Sequence, residues 1–343
     1  MTPARLLPTA LAGALAFTFI GTGGAVAQEH TLRIQTHHST DSVSGKLVQQ
    51  FVDDVHTMSG GRVQIEMFYS AAVVKSVETF DAAATGILDG DMTNGNYQVG
   101  KNPAFQFVSD IMGGYETPWQ MYEWLYQAGG YEQANALYNE YNMQLIGWWV
   151  YGQESLSSSK PLAGIDDLNG WKFRSPPGLE TEIFSQLGAS PVVMDFTEVF
   201  TALETGIIDG ADASGLANNV SLGLYDLVKH ATYPGFHSMP ADHLAIRKDA
   251  WDALPEDIQR IFEVAMQKLA FQTAMTYDVE NAKAAASLPE EEGVTLHAWS
   301  EEDRDAFRET AQKSWQAWAD QSPEARSMIE SHIEFMNLLG LLD

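Results

Sequence analysis

Histidines and acidic residues are the side chains of this sequence that could carry chemistry, and their spacing favours structure over catalysis. His37 and His38 are adjacent, and His237 and His243 lie on either side of a short segment, so neither pair has the H-E-x-x-H spacing of a metallohydrolase. The sequence also lacks a G-x-S-x-G elbow, a phosphate-cradling G-x-x-x-x-G-K loop and any cysteine. Catalysis needs a matched acid and base, and the sequence identifies none. It therefore predicts a binding protein, and an enzyme remains the competing class.

A repeated motif shows which elements position these groups. The pattern E-x-F-x-A-x-x-T-G-I-x-D-G occurs at residues 78–90 and again at residues 198–210. Each copy predicts a helix that ends at glycine, followed directly by a short apolar strand that ends in Asp-Gly. The chain is therefore predicted to build two similar α/β lobes. Parallel sheets that face one another place their strand ends and loops around a shared cleft, where a small ligand binds.

The first residues predict export. Arg5 supplies the positive start, residues 6–20 form an apolar run, and Ala25-Val26-Ala27 forms a small-x-small cleavage site before Gln28. We expect a signal peptide over residues 1–27 and a periplasmic mature protein that does not itself span the membrane. The absence of cysteine excludes a lipid anchor on an N-terminal cysteine and a disulfide framework, so a large apolar core must supply the stability.

The charge balance narrows the partners. Acidic residues number 46 against 19 lysines and arginines, which gives a formal net charge of -27. A protein this acidic repels phosphate backbones, so nucleic acid is excluded as a partner. The acidic residues are scattered over amphipathic helices, and we interpret them mainly as a solvated surface.

Apolar alternation and helix-ending glycines predict a β-α-β-α-β series in each half of the chain. The tail from Trp251 onward is predicted to be helical, with Pro255 at a helix start and Pro289 at a break. No linker is long enough to separate independent domains, so the lobes are expected to share elements as a hinged pair. The other predicted elements are strand 31–35, helix 43–58, strand 62–68, helices within 119–141, strand 144–150, strand 172–174, helix 179–187 and strand 191–194.

Three motifs resemble a known family. Residues 166–174 read D-D-L-N-G-W-K-F-R and match a D-L-x-G-x-K-x-R signature, the second repeat copy at 198–210 matches another, and Leu254-Pro255-Glu256 after Lys248 and Trp251 matches a third. Their order and spacing resemble those of the DctP-type solute receptors of tripartite ATP-independent periplasmic (TRAP) transporters. The resemblance covers essentially the mature chain.

The resemblance implies a fold and a function. It implies an α/β, two-lobed periplasmic binding protein of type II, with parallel-rich sheets, a hinge and a long helix that spans both lobes. It also implies that a small organic anion, such as a keto, hydroxy or sugar acid, binds in the cleft and is delivered to small and large membrane subunits of the DctQ and DctM type. The expected organisation is a signal peptide at 1–27, lobe 1 at 28–152 with part of 240–275 returning to it, lobe 2 at 153–239, and a crossover and helical segment at 240–343.

Arg174 is the residue to which the resemblance assigns the anion clamp. A guanidinium is planar, permanently charged and forked, so it can hold a carboxylate through two parallel hydrogen bonds. Arg174 ends a predicted strand and runs into the turn Ser175-Pro176-Pro177-Gly178, which places its side chain at the carboxyl end of the strand. The alternative is a salt bridge at the surface or between the lobes.

Gln153 and Asp212 correspond to ligand and cation contacts in the keto-acid-binding branch of the family. Carboxylate and amide oxygens suit a hard cation such as Na⁺ or Ca²⁺. The sequence departs from that branch at two positions. The branch has tryptophan where this chain has Ala213, and it has an acidic residue where this chain has Ser238. The cation therefore stays open, and Asp212 could instead accept hydrogen bonds from a ligand hydroxyl or amine.

The loop after the first repeat copy should face the Asp212 loop across the cleft. Asn96 and Tyr97 are the predicted ligand contacts in this loop, and His38, at the end of the first strand, is a further one. For each, the alternative is a turn-stabilising or packed side chain. The sequence leaves the identity of the anion open. A receptor for an ATP-driven importer, which would have a similar two-lobed fold, remains an alternative.

Overall fold

The computed structural model describes residues 1–2 and 29–342. The predicted signal peptide and its cleavage site lie outside the described residues, apart from Met1 and Thr2. The described part folds around two mixed sheets, and we call the parts built on them lobe 1 and lobe 2.

Lobe 1 is built on a five-stranded sheet of order β2-β1-β3-β10-β4. Strands β1, β2 and β3 are parallel, whereas β10 runs antiparallel to both β3 and β4. The β-α-β pattern predicted parallel strands, but the sheet is mixed. The reason is that β10, which follows lobe 2 in the chain, inserts antiparallel between β3 and β4. Its strands are β1 (His30–Thr36), β2 (Val63–Tyr69), β3 (Gly90–Met92), β4 (Met143–Val150) and β10 (Ala241–Arg247).

Lobe 2 is built on a six-stranded sheet of order β11-β9-β5-β8-β6-β7. Strands β6, β7 and β8 are parallel, and β5 is antiparallel to its neighbours β8 and β9. The predicted lobe boundaries fall between β4 and β5 and between β9 and β10. Its strands are β5 (Ser155–Ser158), β6 (Lys172–Ser175), β7 (Ser190–Val193), β8 (Gly210–Ser214), β9 (His230–Thr232) and β11 (Thr295–His297).

Helices cover both sheets. The first, α1 (Val43–Met58), has the predicted bounds and is capped by Ser42, whose side chain accepts from the Gly45 amide. The others are α2 (Thr79–Ala84), α3 (Ala104–Ser109), α4 (Pro118–Gln127), α5 (Gly130–Glu140), α6 (Leu179–Gln186), α7 (Val199–Glu204), α8 (Leu216–Ser221), α9 (Leu224–Leu227), α10 (Lys248–Asp252), α11 (Glu256–Glu291), α12 (Glu301–Ala319) and α13 (Pro323–Leu339).

The long helix α11 connects the two lobes. It packs on β4 and α1 in lobe 1 and on α8 and β11 in lobe 2. Its 36 residues span about 54 Å at 1.5 Å per residue. These features confirm the expected two-lobed fold with a long spanning helix.

Two details of the tail differ from the prediction. Pro289 does not break the helix, because it lies inside α11, which continues to Glu291. A proline this close to the helix end removes only one of the last backbone hydrogen bonds. Strand β11 interrupts the helical tail and joins lobe 2. None of the helices in the described part of the chain combines the length and apolar character that a membrane span needs.

The repeat copies fold alike, but the strand begins later than predicted. After α2, the Leu88 amide donates to Ala82 O, which makes residues 85–88 a turn, and Ile87 is exposed. Strand β3 then starts at Gly90, where the sequence predicted the strand to end. A side chain there would be crowded, because a Cβ would lie 3.1 Å from Ile34 Cγ1 and 3.2 Å from Ala245 O. The second copy repeats this turn, and the corresponding Cβ at Gly210 would lie 2.5 Å from Ser157 O.

Candidate functional site

A pocket with a free volume of about 30 Å³ lies between the lobes, where strand ends from both sheets meet. Lobe 1 contributes the segments after β1 and β3, and lobe 2 contributes β6, β8 and the segment after β7. The segments that join the lobes complete it. The lining residues are His37, His38, Asn94, Asn96, Tyr97, Tyr151, Glu154, Arg174, Pro176, Phe196, Asp212, Ala213, Ser238 and Pro240.

Arg174 is fixed in the lobe 2 wall. Its strand is anchored by Trp171 and Phe173, whose rings stack with centroids 4.2 Å apart in the core. The guanidinium is only 3% exposed; Nη1 donates to Asp212 O at 2.7 Å and Nε donates to Met194 O at 3.4 Å. Its central carbon lies 5.7 Å from the centroid of the Phe196 ring. These contacts hold a permanent positive charge against the pocket before any ligand arrives.

Buried carboxyl groups surround Arg174 on this side. Asp212, Glu154 and Glu180 are all buried. Burial, followed by repulsion from Asp212, raises the pKa of both glutamates well above their ordinary value. Burial also opposes ionisation of Asp212, but His237 and Arg174 outweigh it and lower the pKa of Asp212 to about 2. The wall therefore holds one carboxylate whose ionisation is favoured beside two carboxyl groups whose ionisation is opposed by burial and by Asp212.

Several polar atoms of this wall lack hydrogen bonds. Asp212 Oδ1 lies 3.3 Å from His237 Nε2, yet within the described residues neither atom has a hydrogen-bond partner, and neither does Glu180 Oε1. Glu154, Asp212 and His237 each place a ligand-type atom within 4.8 Å of the others. Buried polar atoms are normally paired, so this group of oxygens could take a cation or a ligand donor.

Asp110 lies behind the pocket and accepts a hydrogen bond from Ser238 Oγ at 2.7 Å. Burial raises the pKa of Asp110 to about 7, even though Ser238 and the Met239 amide stabilise the ionised form. Its charge state therefore changes near neutral pH.

The lobe 1 wall has a different chemistry. His37 and His38 follow β1 and meet Asp242, the second residue of β10; their Nε2 atoms lie 3.1 and 2.8 Å from Asp242 Oδ2. Tyr97 OH lies 3.0 Å from His37 Nδ1. Burial, followed by repulsion from His37, lowers the pKa of His38 to about 4. The His37 ring also stacks on Phe196 from lobe 2, with centroids 5.1 Å apart, so the two walls touch.

Five of the six predicted site residues line this one pocket, namely His38, Asn96, Tyr97, Arg174 and Asp212. The loop after β3 faces Asp212 across the pocket, as the repeat predicted. Gln153 is not brought into the pocket, because its amide donates to Tyr115 O at 3.1 Å and points away from the cleft. The neighbouring Glu154 takes that place.

Sequence reasoning missed Glu154, Asp242 and Phe196. Glu154 follows Gln153 directly, and only the turn of the backbone after β4 decides which of the two faces the pocket. Asp242 and His243 are consecutive on β10 and point to opposite faces of the sheet. A strand prediction over residues 241–247 would have indicated that one of these two residues faces the cleft.

The fold and this enclosed, charge-lined pocket define a solute-binding protein. The chain belongs to the DctP family, bacterial extracellular solute-binding protein family 7, which matches residues 34–321. A curated relative, the monocarboxylate 2-oxoacid-binding periplasmic protein of Nostoc sp. (strain PCC 7120), is 29% identical over 245 residues. That match covers 68% of this chain and 64% of the relative, so this chain spans less than two thirds of that protein's length.

Solved structures agree with the family. A TRAP periplasmic solute binding protein from Rhodobacter sphaeroides, in an apo open form, is 33% identical with a TM-score of 0.71, and the match covers 91% of this chain and 99% of that one. A TRAP transporter solute binding protein from Bordetella bronchiseptica RB50, with copurified calcium and picolinate, is 24% identical with a TM-score of 0.85, covering 92% and 94%. The chain is therefore an extracytoplasmic solute receptor of the TRAP type, and the resemblance is confirmed.

Proposed function

We propose that this receptor binds a short organic carboxylate in the interlobe pocket, with the ionised group on Arg174. The observation that carries the proposal is the buried guanidinium, which two backbone carbonyls hold in place at the pocket wall. A forked cation fixed in advance loses little entropy when it binds a carboxylate. Since its charge is partly balanced by Asp212, Arg174 selects a small anion and does not attract anions in general.

We propose a 2-oxo monocarboxylate as the first ligand class to test. The Nostoc relative carries that ligand class in its name. The free volume of the pocket, about 30 Å³, has room for only a few water-sized groups, which favours a short acid over a sugar acid. Tyr97 and Asn96 face the pocket from lobe 1 and can donate hydrogen bonds to a second oxygen of the ligand.

A hard cation fits the oxygen-rich side of the pocket. Asp212 Oδ1 is buried and accepts no hydrogen bond from the described part of the chain, and Glu154 lies beside it, so both can serve as oxygen ligands. The Bordetella protein holds calcium together with its carboxylate. We propose that Asp212 and Glu154 hold Na⁺ or Ca²⁺ here, and that Gln153, which faces Tyr115, does not. The ion would supply positive charge next to the bound anion.

The remaining parts of the proposal concern the protein's role in transport. We propose that the chain is cleaved near Ala27 and Gln28 and that it passes the anion to small and large TRAP membrane subunits. We also propose that it is not an enzyme, since the pocket brings together binding groups without a nucleophile such as cysteine.

The test is to identify and titrate the ligand. Mass spectrometry of the molecule that copurifies should give a short carboxylate. Calorimetry on ligand-free protein should show that pyruvate or a slightly longer 2-oxo acid binds more tightly than the matched 2-hydroxy acid, and more tightly with Ca²⁺ than with a chelator. A ligand without an acidic group would overturn the anion proposal. A product formed in excess of the protein during long incubation would overturn the receptor role.

A further inference from the structure

Three metal-ligating atoms converge on the lobe 1 side of the pocket. His37 Nε2, His38 Nε2 and Asp242 Oδ2 are separated by only 3.1, 3.1 and 2.8 Å. All three side chains are buried, and both histidines line the pocket. Residue spacing does not reveal this group, because Asp242 lies about 200 residues from the histidines along the chain.

Hydrogen bonding alone does not account for these contacts. If both Nε2 atoms carry hydrogen, the two hydrogens crowd together as they point at one oxygen. If one nitrogen lacks hydrogen, its lone pair faces the lone pairs of the carboxylate. When both Nε2–H groups donate to Asp242 Oδ2, the 3.1 Å contact between the two nitrogens is left without a hydrogen bond, whereas a cation between the three atoms would attract each of them.

A second histidine and aspartate pair in the same sheet shows the ordinary arrangement. His243 Nε2 lies 2.9 Å from Asp91 Oδ2, and Tyr138 OH lies 3.0 Å from His243 Nδ1. The other carboxylate oxygen, Asp91 Oδ1, accepts from Thr93 Oγ1 at 2.7 Å. One imidazole and one carboxylate satisfy each other here. The pocket group has a second imidazole, which this pairing does not need.

The surrounding contacts suit metal ligands. When a histidine binds a metal through Nε2, its Nδ1–H normally donates to a neighbouring group, and ligating carboxylates are themselves hydrogen-bonded. His37 Nδ1 lies 3.0 Å from Tyr97 OH, and Asp242 Oδ1 accepts from Asn94 Nδ2 at 3.0 Å. Two of the three ligands are therefore already oriented by a second residue.

We propose that His37, His38 and Asp242 form a binding site for a divalent first-row transition-metal ion such as Zn²⁺. Two imidazoles and one carboxylate suit such ions, whereas Ca²⁺ and Na⁺ prefer oxygen ligands. An ion about 2 Å from each atom would see them at angles of roughly 85 to 100°, which leaves further coordination positions open. Those positions face the pocket. The inference holds whichever anion the receptor carries.

The experiment uses tag-free mature protein stripped with a chelator. Calorimetric titration should show one equivalent of Zn²⁺ bound, and Co²⁺ should give ligand-field absorption bands typical of nitrogen coordination. His37→Ala and His38→Ala should each weaken Zn²⁺ binding by at least about tenfold. The control is His230→Ala, which alters a histidine away from the pocket whose Nδ1 lies 3.0 Å from His297 Nε2, and this variant should bind Zn²⁺ like wild type. Melting curves without metal check that each variant is folded, and His38→Gln replaces any variant that is not.

The outcomes separate this site from the proposed function. Asp212→Asn should lose Ca²⁺ binding and keep Zn²⁺ binding, whereas His38→Ala should do the opposite. Zn²⁺ affinity equal in wild type and folded His38→Ala would overturn the proposal, and so would Co²⁺ without nitrogen-derived bands. Failure of every 2-oxo acid to bind would affect the proposed ligand only.

Discussion

The two walls of the pocket present different chemical groups to a ligand. On the lobe 2 side, Arg174 and Asp212 carry full charges, and neutral carboxyl groups lie beside them. On the lobe 1 side, His38, Tyr97 and Asn96 offer hydrogen-bonding groups. The difference indicates that lobe 2 recognises the charge of the ligand and that lobe 1 recognises the rest of it when the cleft is closed. Substitutions on the two sides should therefore differ in size.

Arg174→Ala should give the largest effect. Removing the guanidinium leaves the bound carboxylate without its charged partner in a buried pocket, which costs roughly 2 to 5 kcal/mol. The dissociation constant should rise about 30-fold to several thousand-fold. Calorimetric titration with the copurifying ligand measures the change.

Arg174→Lys is the matched control for the clamp. It keeps the charge and loses the fork, so it should bind more weakly than wild type and melt at nearly the same temperature without ligand. If folded Arg174→Ala binds within about threefold of wild type, Arg174 serves the structure and the charged wall is wrongly assigned.

Asp110→Asn should remove the pH dependence that the buried carboxyl group of Asp110, behind the pocket, gives to the stability of the fold. Since burial raises the pKa of Asp110 from 3.8 to about 7, its neutral form stabilises the fold fully below about pH 3.8. That contribution is lost as the pH rises through about 7, and it amounts to roughly 4 kcal/mol at 1.36 kcal/mol per pKa unit. Denaturant unfolding of ligand-free protein at pH 4.5 to 8 measures it. The stability of the variant relative to wild type should increase with pH up to about pH 7 and then level off, and a constant difference over the whole range would contradict the assignment.

Tyr97→Phe should weaken ligand binding less than Arg174→Ala or Arg174→Lys does. It removes one neutral hydroxyl that lines the pocket beside His37, and a neutral hydrogen bond from this hydroxyl to the ligand is worth about 0.5 to 1.5 kcal/mol. Ligand affinity should fall about two- to tenfold. A loss as large as that of Arg174→Ala would mean that lobe 1 contributes as much to ligand binding as the charged clamp, and it would end the distinction between the walls.

Lys75→Ala should have the smallest effect. Lys75 Nζ lies 2.9 Å from Glu198 across the lobes, but both side chains are about half exposed, and such pairs contribute little. Ser76 Oγ, next to it, donates to the buried Asp195 at 3.0 Å. In the same titration, Lys75→Ala should change affinity by less than about threefold and Ser76→Ala by more. The reverse order would mean that the exposed ion pair between Lys75 and Glu198, and not the buried contact of Ser76 with Asp195, holds the lobes together.

Most of the fold could be predicted from the sequence because local patterns determine it. Periodicity and capping identify α1, and the repeated motif predicts two lobes. The start of β3 could not be predicted, because Ile87 and Leu88 look like a strand, whereas pairing begins only at Gly90, opposite Ile34 of β1 and Ile246 of β10. The antiparallel position of β10 depends on the return path of the chain, which leaves no mark in local sequence.

Site residues could be predicted only where they belong to a motif or to the repeat. Arg174 belongs to a motif, and the loops with Asp212 and Tyr97 follow from the repeat. Glu154 could not be chosen over Gln153, because the choice depends on a single backbone turn after β4. Asp242 meets His37 and His38 only after the chain crosses between the lobes twice. Such long-range encounters depend on topology, and residue spacing alone does not reveal them.

Burial and Asp212 disfavour the ionisation of the buried Glu154 and Glu180. A cation held by Asp212 and Glu154 would reverse this preference for Glu154, since oxygen ligands bind metal in the ionised form and release protons as they do so. Loading the receptor would then acidify its surroundings slightly. The heat of binding would vary with the ionisation enthalpy of the buffer, and the affinity for the cation would increase with pH.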